Sequence, residues 1–203
     1  MLAILKKEAS FKHDLHGIHN SREGRKPLAY GNAVLSNFPV HFWDDVAFGA
    51  STLGEKGFLY AEVTVGKWHL PIINLHLDYR SRKRRIRQVE QVIDYLDKRE
   101  QDRGVLKPII CGDFNTSSRR VGDAVQHLFR YLLSGHDYKL YPVSSRTFPS
   151  LLPARSIDFI FLPAPLRRRH CEVCNVQLSD HFPVLLDIGI PELESTLPST
   201  VMG

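Results

Sequence analysis

The stretch Ile72-Ile73-Asn74-Leu75-His76-Leu77-Asp78 decides how the rest of the chain is read. It is a β-rich apolar run that ends on an imidazole and a carboxylate. Ionisable groups are costly inside a buried strand, so their place at its C-terminal end points to a reaction centre or a cap. The design recurs. Ile109-Ile110-Cys111-Gly112-Asp113-Phe114-Asn115 ends an apolar strand on Asp113 and Asn115, and Leu178-Ser179-Asp180-His181-Phe182-Pro183 adjoins another. In Ser156-Ile157-Asp158-Phe159-Ile160 a carboxylate lies inside a strand pattern and needs a histidine or a metal as partner. Each segment also has a bland reading. His76 fits a satisfied strand histidine, Gly112-Asp113 a turn closed by Asn115, and Asp180-His181 a cap.

Working outward, residues 58–65 and 69–77 flank Gly66-Lys67 and predict a hairpin. Ile86, Val89, Val92, Ile93 and Leu96 share one helical face, which predicts a helix over residues 84–100. Residues 107–111 read as a buried strand and 121–133 as a second amphipathic helix. Residues 33–40 read as a strand broken at Pro39, and 156–162 and 182–190 as late strands. Residues 1–7 suggest a short helix, 14–27 a mobile loop, and 147–155 a Pro-rich loop. The order implies an α+β fold with an antiparallel or mixed sheet. One domain spans residues 1–190, with 191–203 as a tail.

The charge is uneven. Lys and Arg number 27 against 22 Asp and Glu, a net +5, and the excess concentrates in Arg-Ser-Arg-Lys-Arg-Arg-Ile-Arg at residues 80–87 and in Arg167, Arg168 and Arg169. Such runs are solvated faces or contacts to polyanions. Three cysteines exclude a disulfide framework; Cys171 and Cys174, beside His170, are one C-x-x-C pair, half of what structural zinc usually takes. No apolar run reaches the ~20 residues of a membrane span, and residues 1–10 lack the form of a secretion signal, so a cytoplasmic location is expected.

Taken together, Gly112-Asp113-Phe114-Asn115, Ser179-Asp180-His181-Phe182-Pro183 and the upstream Asn74-x-His76-Leu77 resemble the endonuclease/exonuclease/phosphatase superfamily. Tyr30-Gly31-Asn32-Ala33-Val34-Leu35-Ser36, Arg87-Gln88 and Thr147-Phe148-Pro149 ahead of Asp158 extend the likeness from about residue 30 to 188. The resemblance implies a DNase I-like two-sheet sandwich flanked by helices, and a phosphoesterase using Mg²⁺ or Mn²⁺. It implies that His181 activates water, that Asp158 fixes its tautomer, and that His76 donates to a phosphate oxygen. Asp113 and Asn115 would orient water and phosphate and contact metal, and Asp180 would help hold it. Asn32, Arg80 and Arg84 are expected to bind substrate, a phosphodiester of nucleic acid or anionic phospholipid.

The family's opening strands, one carrying an Asn and one ending in the metal-binding Gln-Glu, have no counterpart before Tyr30. Glu8 and Glu23 are the glutamates available there, and neither follows an apolar strand. The fold is therefore expected to be N-terminally incomplete. Three readings follow: a fragment, a short form that borrows an element from a partner, or a phosphate-binding module without turnover. A missing strand exposes sheet edges, so a homodimer is expected through them.

Overall fold

The computed structural model describes residues 4, 7–22, 28–49, 56–100, 106–135 and 137–190. Its frame is a six-stranded sheet in the order β5-β6-β7-β8-β10-β9, formed by β5 (Val40–Ala47), β6 (Gly57–Val65), β7 (Trp68–His76), β8 (Ile109–Asp113), β10 (Asp158–Pro163) and β9 (Tyr138–Tyr141). The hairpin at Gly66-Lys67 forms as its sequence predicts, with Val65 opposite Trp68. Among the described residues, only β7 and β8 run parallel, because helix α1 (Arg82–Glu100) carries the chain back between them. Helix α2 (Ala124–Gly135) packs beside α1. Val89, Val92, Leu96, Val125, Leu128 and Leu132 of the helices bury against Phe58, Ile73, Leu75, Ile110, Phe159 and Phe161 of the sheet. Burial of each such side chain contributes roughly 1.5–3 kcal/mol.

The opposite face carries separate two-stranded ladders, β1 (His13–His16) with β4 (Ala33–Ser36) and β11 (Arg167–Val173) with β12 (Val184–Gly189); β2 (Asn20–Arg22) pairs with β3 (Leu28–Tyr30). Leu70, Leu162, Leu166 and Ile190 form a smaller core under this layer. The two-sheet expectation is met in outline, with the second layer divided into ladders. A groove of about 600 Å³ is lined by Ala33, Val34 and Leu35 on one side and Pro183 and Val184 on the other.

Several elements differ from expectation. Residues 14–27 are not simply a loop: they hold parts of β1 and all of β2, whose strand character is set by pairing with β4 and β3. The strand over 33–40 ends at Ser36, whose hydroxyl donates to Phe38 O and accepts the Phe38 N–H in a turn. Helix α2 begins at Ala124 because Asp123 caps it, its carboxylate accepting the Ala124 N–H at 2.7 Å. Residues 182–183 and 190 fall outside β12. β5, β9 and β11 are additional strands. Most of the helix expected over 1–7 and the whole tail 191–203 lie outside the described residues.

Gly112 shows why one motif residue has no substitute. Its φ is 137°, and a Cβ there would lie 1.9 Å from the Leu75 carbonyl oxygen on β7. Gly112→Ala should lower stability by about 1–3 kcal/mol, seen as a lower denaturation midpoint. An unchanged midpoint would show that the β7–β8 contact yields freely.

Candidate active site

Register brings the ionisable strand ends into one row. His76 at the end of β7 pairs with Asp113 at the end of β8, and Asp113 pairs with Asp158 at the start of β10. Side chains on adjacent strands at one level are neighbours, ~5 Å apart at Cα. His76 Nε2 lies 3.3 Å from Asp113 Oδ2. His181, from the loop before β12, completes the group, its Nδ1 2.9 Å from Asp158 Oδ2 and 3.1 Å from Oδ1.

Backbone ties hold that loop in place. Phe182 N–H donates to Thr147 O at 2.8 Å, and Ser150 N–H to Asp180 O at 2.8 Å. The Phe148 ring lies 4.7 Å from the His181 ring. The Thr-Phe-Pro segment is thus the wall against which His181 is set. Asn115, at φ 51°, closes the end of β8. Its N–H donates to Asp113 Oδ1 at 2.7 Å, and its amide to Asp113 Oδ2 at 2.9 Å and Leu77 O at 3.0 Å.

These contacts set the charges. The Asp158 hydrogen bond raises the His181 pKa above its ordinary value; partial burial opposes this, and Asp158, Asp113 and Asp180 add to it. Burial disfavours the Asp113 carboxylate, but His76, the Asn115 N–H and His181 together hold its pKa below the usual range. The linkage has opposite signs. His181 contributes stability that is complete below its unfolded pKa and lost as pH rises through the folded one. Asp113 contributes stability present above its unfolded pKa and lost as pH falls through the folded one. In metal-free protein, the His181 ring should titrate above an ordinary histidine, and Asp158→Asn should return it toward that range. Ring-proton NMR reads both, and coincident titrations would refute the pairing.

Asp113, Asp158 and His181 each offer a ligand atom within 4.8 Å of the others, the one such cluster among the described residues. Carboxylate oxygens suit hard divalent cations, so the donor set fits Mg²⁺ or Mn²⁺. Asp180 lies outside this cluster; its exposed carboxylate accepts the Ser179 hydroxyl at 3.1 Å. Cys171 and Cys174 carry free thiols. Burial pushes the Cys111 thiol, in the floor of the groove, up to about 11.

The expected substrate contacts are placed differently. Asn32 is buried, its amide donating to Asn74 O at 2.7 Å and Gly57 O at 2.9 Å, while Asn74 donates to Ala33 O at 3.0 Å. This pair joins β4 to the main sheet. Arg80 is exposed, its guanidinium 5.0 Å from the Tyr79 ring centre, and Arg84 Nη1 lies 3.6 Å from Asp78 Oδ2. Much of the basic run serves the fold: Arg82 donates to Gly122 O, and Arg85 pairs with Asp123. Glu8 is exposed, and Glu23 lies outside the described residues.

Lys56 is the site residue the sequence reading missed. Its Nζ contacts His76 Nε2 and lies 5.6 Å from the Tyr79 ring centre. Burial lowers its pKa to about 8, while Asp113 and Asp78 act to raise it. Counting back from the predicted turn would have found it. Pairing Val65 with Trp68 carries the chain just before Gly57 to the level of His76.

The endonuclease/exonuclease/phosphatase family model matches residues 3–181, and the chain belongs to that family. A mannosyl-6-phosphatase from Bacteroides thetaiotaomicron superposes at TM-score 0.73 and 17% identity, covering 93% of this chain and 81% of its own. A beta toxin mutant from Staphylococcus aureus with bound magnesium ions gives 0.64 and 17%, covering 90% and 79%. Sphingomyelinase C from Streptomyces griseocarneus gives 0.59 and 18%, covering 90% and 80%. No match was found among curated proteins.

Proposed function

We propose that the protein is a divalent-metal-dependent phosphoesterase that hydrolyses a phosphodiester by attack of water. The observation that carries this reading is the row His76–Asp113–Asp158 with His181 bonded to Asp158. A phosphodiester resists water because its anionic oxygens repel a nucleophile. The site must neutralise that charge, activate the water and assist departure of the leaving oxygen. His181 takes a proton from the water at the ring nitrogen not bonded to Asp158, and Asp158 fixes the tautomer that leaves it open. His76 and Lys56 present N–H groups to the non-bridging oxygens. Asp113 and Asn115 orient the water and phosphate. Asp113 and Asp158 would hold the cation, with Asp180 expected to help, and a bound cation would supply positive charge to the phosphate. Asn32 frames the site through its side-chain amide, which donates to the Asn74 and Gly57 carbonyls, and Arg80 and Arg84 approach the substrate's outer phosphates.

The structural likeness to a phosphatase and a sphingomyelinase supports phosphoester chemistry, and the magnesium in the beta toxin supports the metal. The test is turnover of bis-p-nitrophenyl phosphate by chelated protein before and after adding Mg²⁺ or Mn²⁺, with calorimetry for the metal. Metal-stimulated turnover is expected. Metal-independent turnover, or none with metal bound, would overturn the reading.

A second reading rests on the three donors that the described residues offer a metal. On it, the chain binds the phosphate of nucleic acid or anionic lipid without hydrolysing it, and saturable binding without turnover is the result expected. The edges of β4 and β12 along the groove also suit a homodimer by strand pairing. Sedimentation equilibrium tests this, and a monomer at high protein concentration would exclude it. A cytoplasmic location belongs to the same proposal and is checked by cell fractionation; among the described residues, no helix is long and apolar enough to cross a membrane.

A further inference from the structure

Three leucines stand beside the site with their side chains in water. Leu178 is 91% exposed, Leu151 81% and Leu152 78%. Scattered exposed aliphatics are ordinary, but a group gathered at the rim of a reaction centre marks a contact surface. Ser150 gathers them: its N–H donates to Asp180 O at 2.8 Å and its hydroxyl to Ser179 O at 2.6 Å. That brings the loop bearing Leu151 and Leu152 against the segment bearing Leu178. The loop is closed on itself. Thr147 and Phe148 N–H both donate to Arg155 O, and Arg155 N–H returns to Phe148 O.

Cations flank the leucines. The Arg155 guanidinium lies 4.9 Å from the Phe148 ring centre, and that ring abuts His181. Arg146 donates to Pro153 O at 3.3 Å, at the base of the same loop. On the far side of the centre, contacts run from His76 through Lys56 and Tyr79 to Arg80. Tyr79 is itself 59% exposed, with the apolar body and polar tip that suit a water–lipid boundary. Two carboxylates belong to this rim: Asp180, close enough to His181 to favour its charged form, and Asp78, which is taken up by the Arg80 N–H and the Arg84 guanidinium.

We infer that this face docks on a membrane containing anionic phospholipid. Leu151, Leu152 and Leu178 enter the acyl boundary, and Arg80, Arg146 and Arg155 meet the headgroups. The inference rests on the phosphoester reading and names its substrate class: a phospholipid presented at a bilayer surface. Charge complementarity and apolar exposure select this occupant together. A nucleic acid would use the arginines but gains nothing from three aliphatic side chains around the scissile phosphate. A bilayer uses both, and peripheral binding becomes stable when apolar insertion and electrostatic attraction combine.

Flotation of the whole chain with vesicles tests it, using phosphatidylcholine alone and phosphatidylcholine with about one third phosphatidylglycerol. Binding to the anionic vesicles is expected. The triple variant L151S/L152S/L178S should lose about tenfold or more of that partition, with turnover of bis-p-nitrophenyl phosphate unchanged. Wild-type protein that ignores both vesicles, or a triple variant that floats equally well, overturns the inference. So does tight binding to duplex DNA or RNA, indifferent to the leucine substitutions, with vesicles ignored. Vesicle binding lost in the triple variant, in a protein that hydrolyses no soluble diester, supports the docking surface and removes the phosphoester reading alone.

Discussion

Replacing His181 by alanine is expected to lower kcat on a soluble diester by about 10²–10⁴-fold, with little change in KM. The size follows from geometry. Asp158 holds one ring nitrogen at 2.9 Å, so the other is the one free to take a proton. The ring is also backed by Phe148 at 4.7 Å, which restricts its rotation. Alanine removes both the proton acceptor and the positive charge that forms on it, and nothing else in the row lies in the same position. His76 is paired with Asp113 and Lys56 and cannot reorient without breaking those contacts. A variant within a few fold of wild type would assign water activation elsewhere.

Arg85→Ala should destabilise the protein by about 3–5 kcal/mol. Arg85 and Asp123 are 3% and 0% exposed at their side chains, with Nη2 2.6 Å from Oδ2 and Nε 3.0 Å from Oδ1. This two-pronged bond joins the first turn of α1 to the cap of α2. Burial opposes ionisation of Asp123, yet Arg85 and the Ala124 N–H hold its pKa low. Removing the guanidinium leaves a charge in the interior with its chief partner gone. Arg85→Leu with Asp123→Leu should cost less than the two single changes summed, because the unpaired charge is then gone. Chemical denaturation of the four proteins measures this, and additive losses would show that the pair is not a unit.

Much of the site was legible because its residues break local rules. Asp158 inside Ile-Asp-Phe-Ile, and His76 and Asp113 at the ends of apolar runs, are costly placements that call for partners. The structure supplies those partners from one another. Helix α1 was legible from the 3.6-residue spacing of its buried face. Strand β5 was not, since Val40–Ala47 lies at the sheet edge with His41, Phe42 and Trp43 all exposed and the half-buried positions of its second half taken by Asp44 and Val46, so no apolar alternation marks it in the sequence. Strand β11 was masked in the same way: Arg167, Arg168, Arg169 and His170 are all exposed, and a charge run on an edge strand reads as a surface patch. Pairing with β12, distant from local pattern, makes it a strand. The basic run at 80–87 read equally as a solvated face or a polyanion contact, and two of its six cations, Arg82 and Arg85, anchor helices instead, because whether an arginine finds an aspartate or a carbonyl is decided by tertiary neighbours.

The row of His76, Asp113 and Asp158 across three hydrogen-bonded strands has an evolutionary corollary. A one-residue slip of β8 would turn Asp113 to the other side of the sheet, so insertions within these strands should be lethal to activity. Only surface that takes no part in holding these groups escapes that constraint. At the tip of the 147–155 loop the side chains of Leu151 and Leu152 are exposed, so exchanging those two residues would remodel what the protein grips while leaving the reactive groups in alignment, which makes this tip a natural place to graft a new preference.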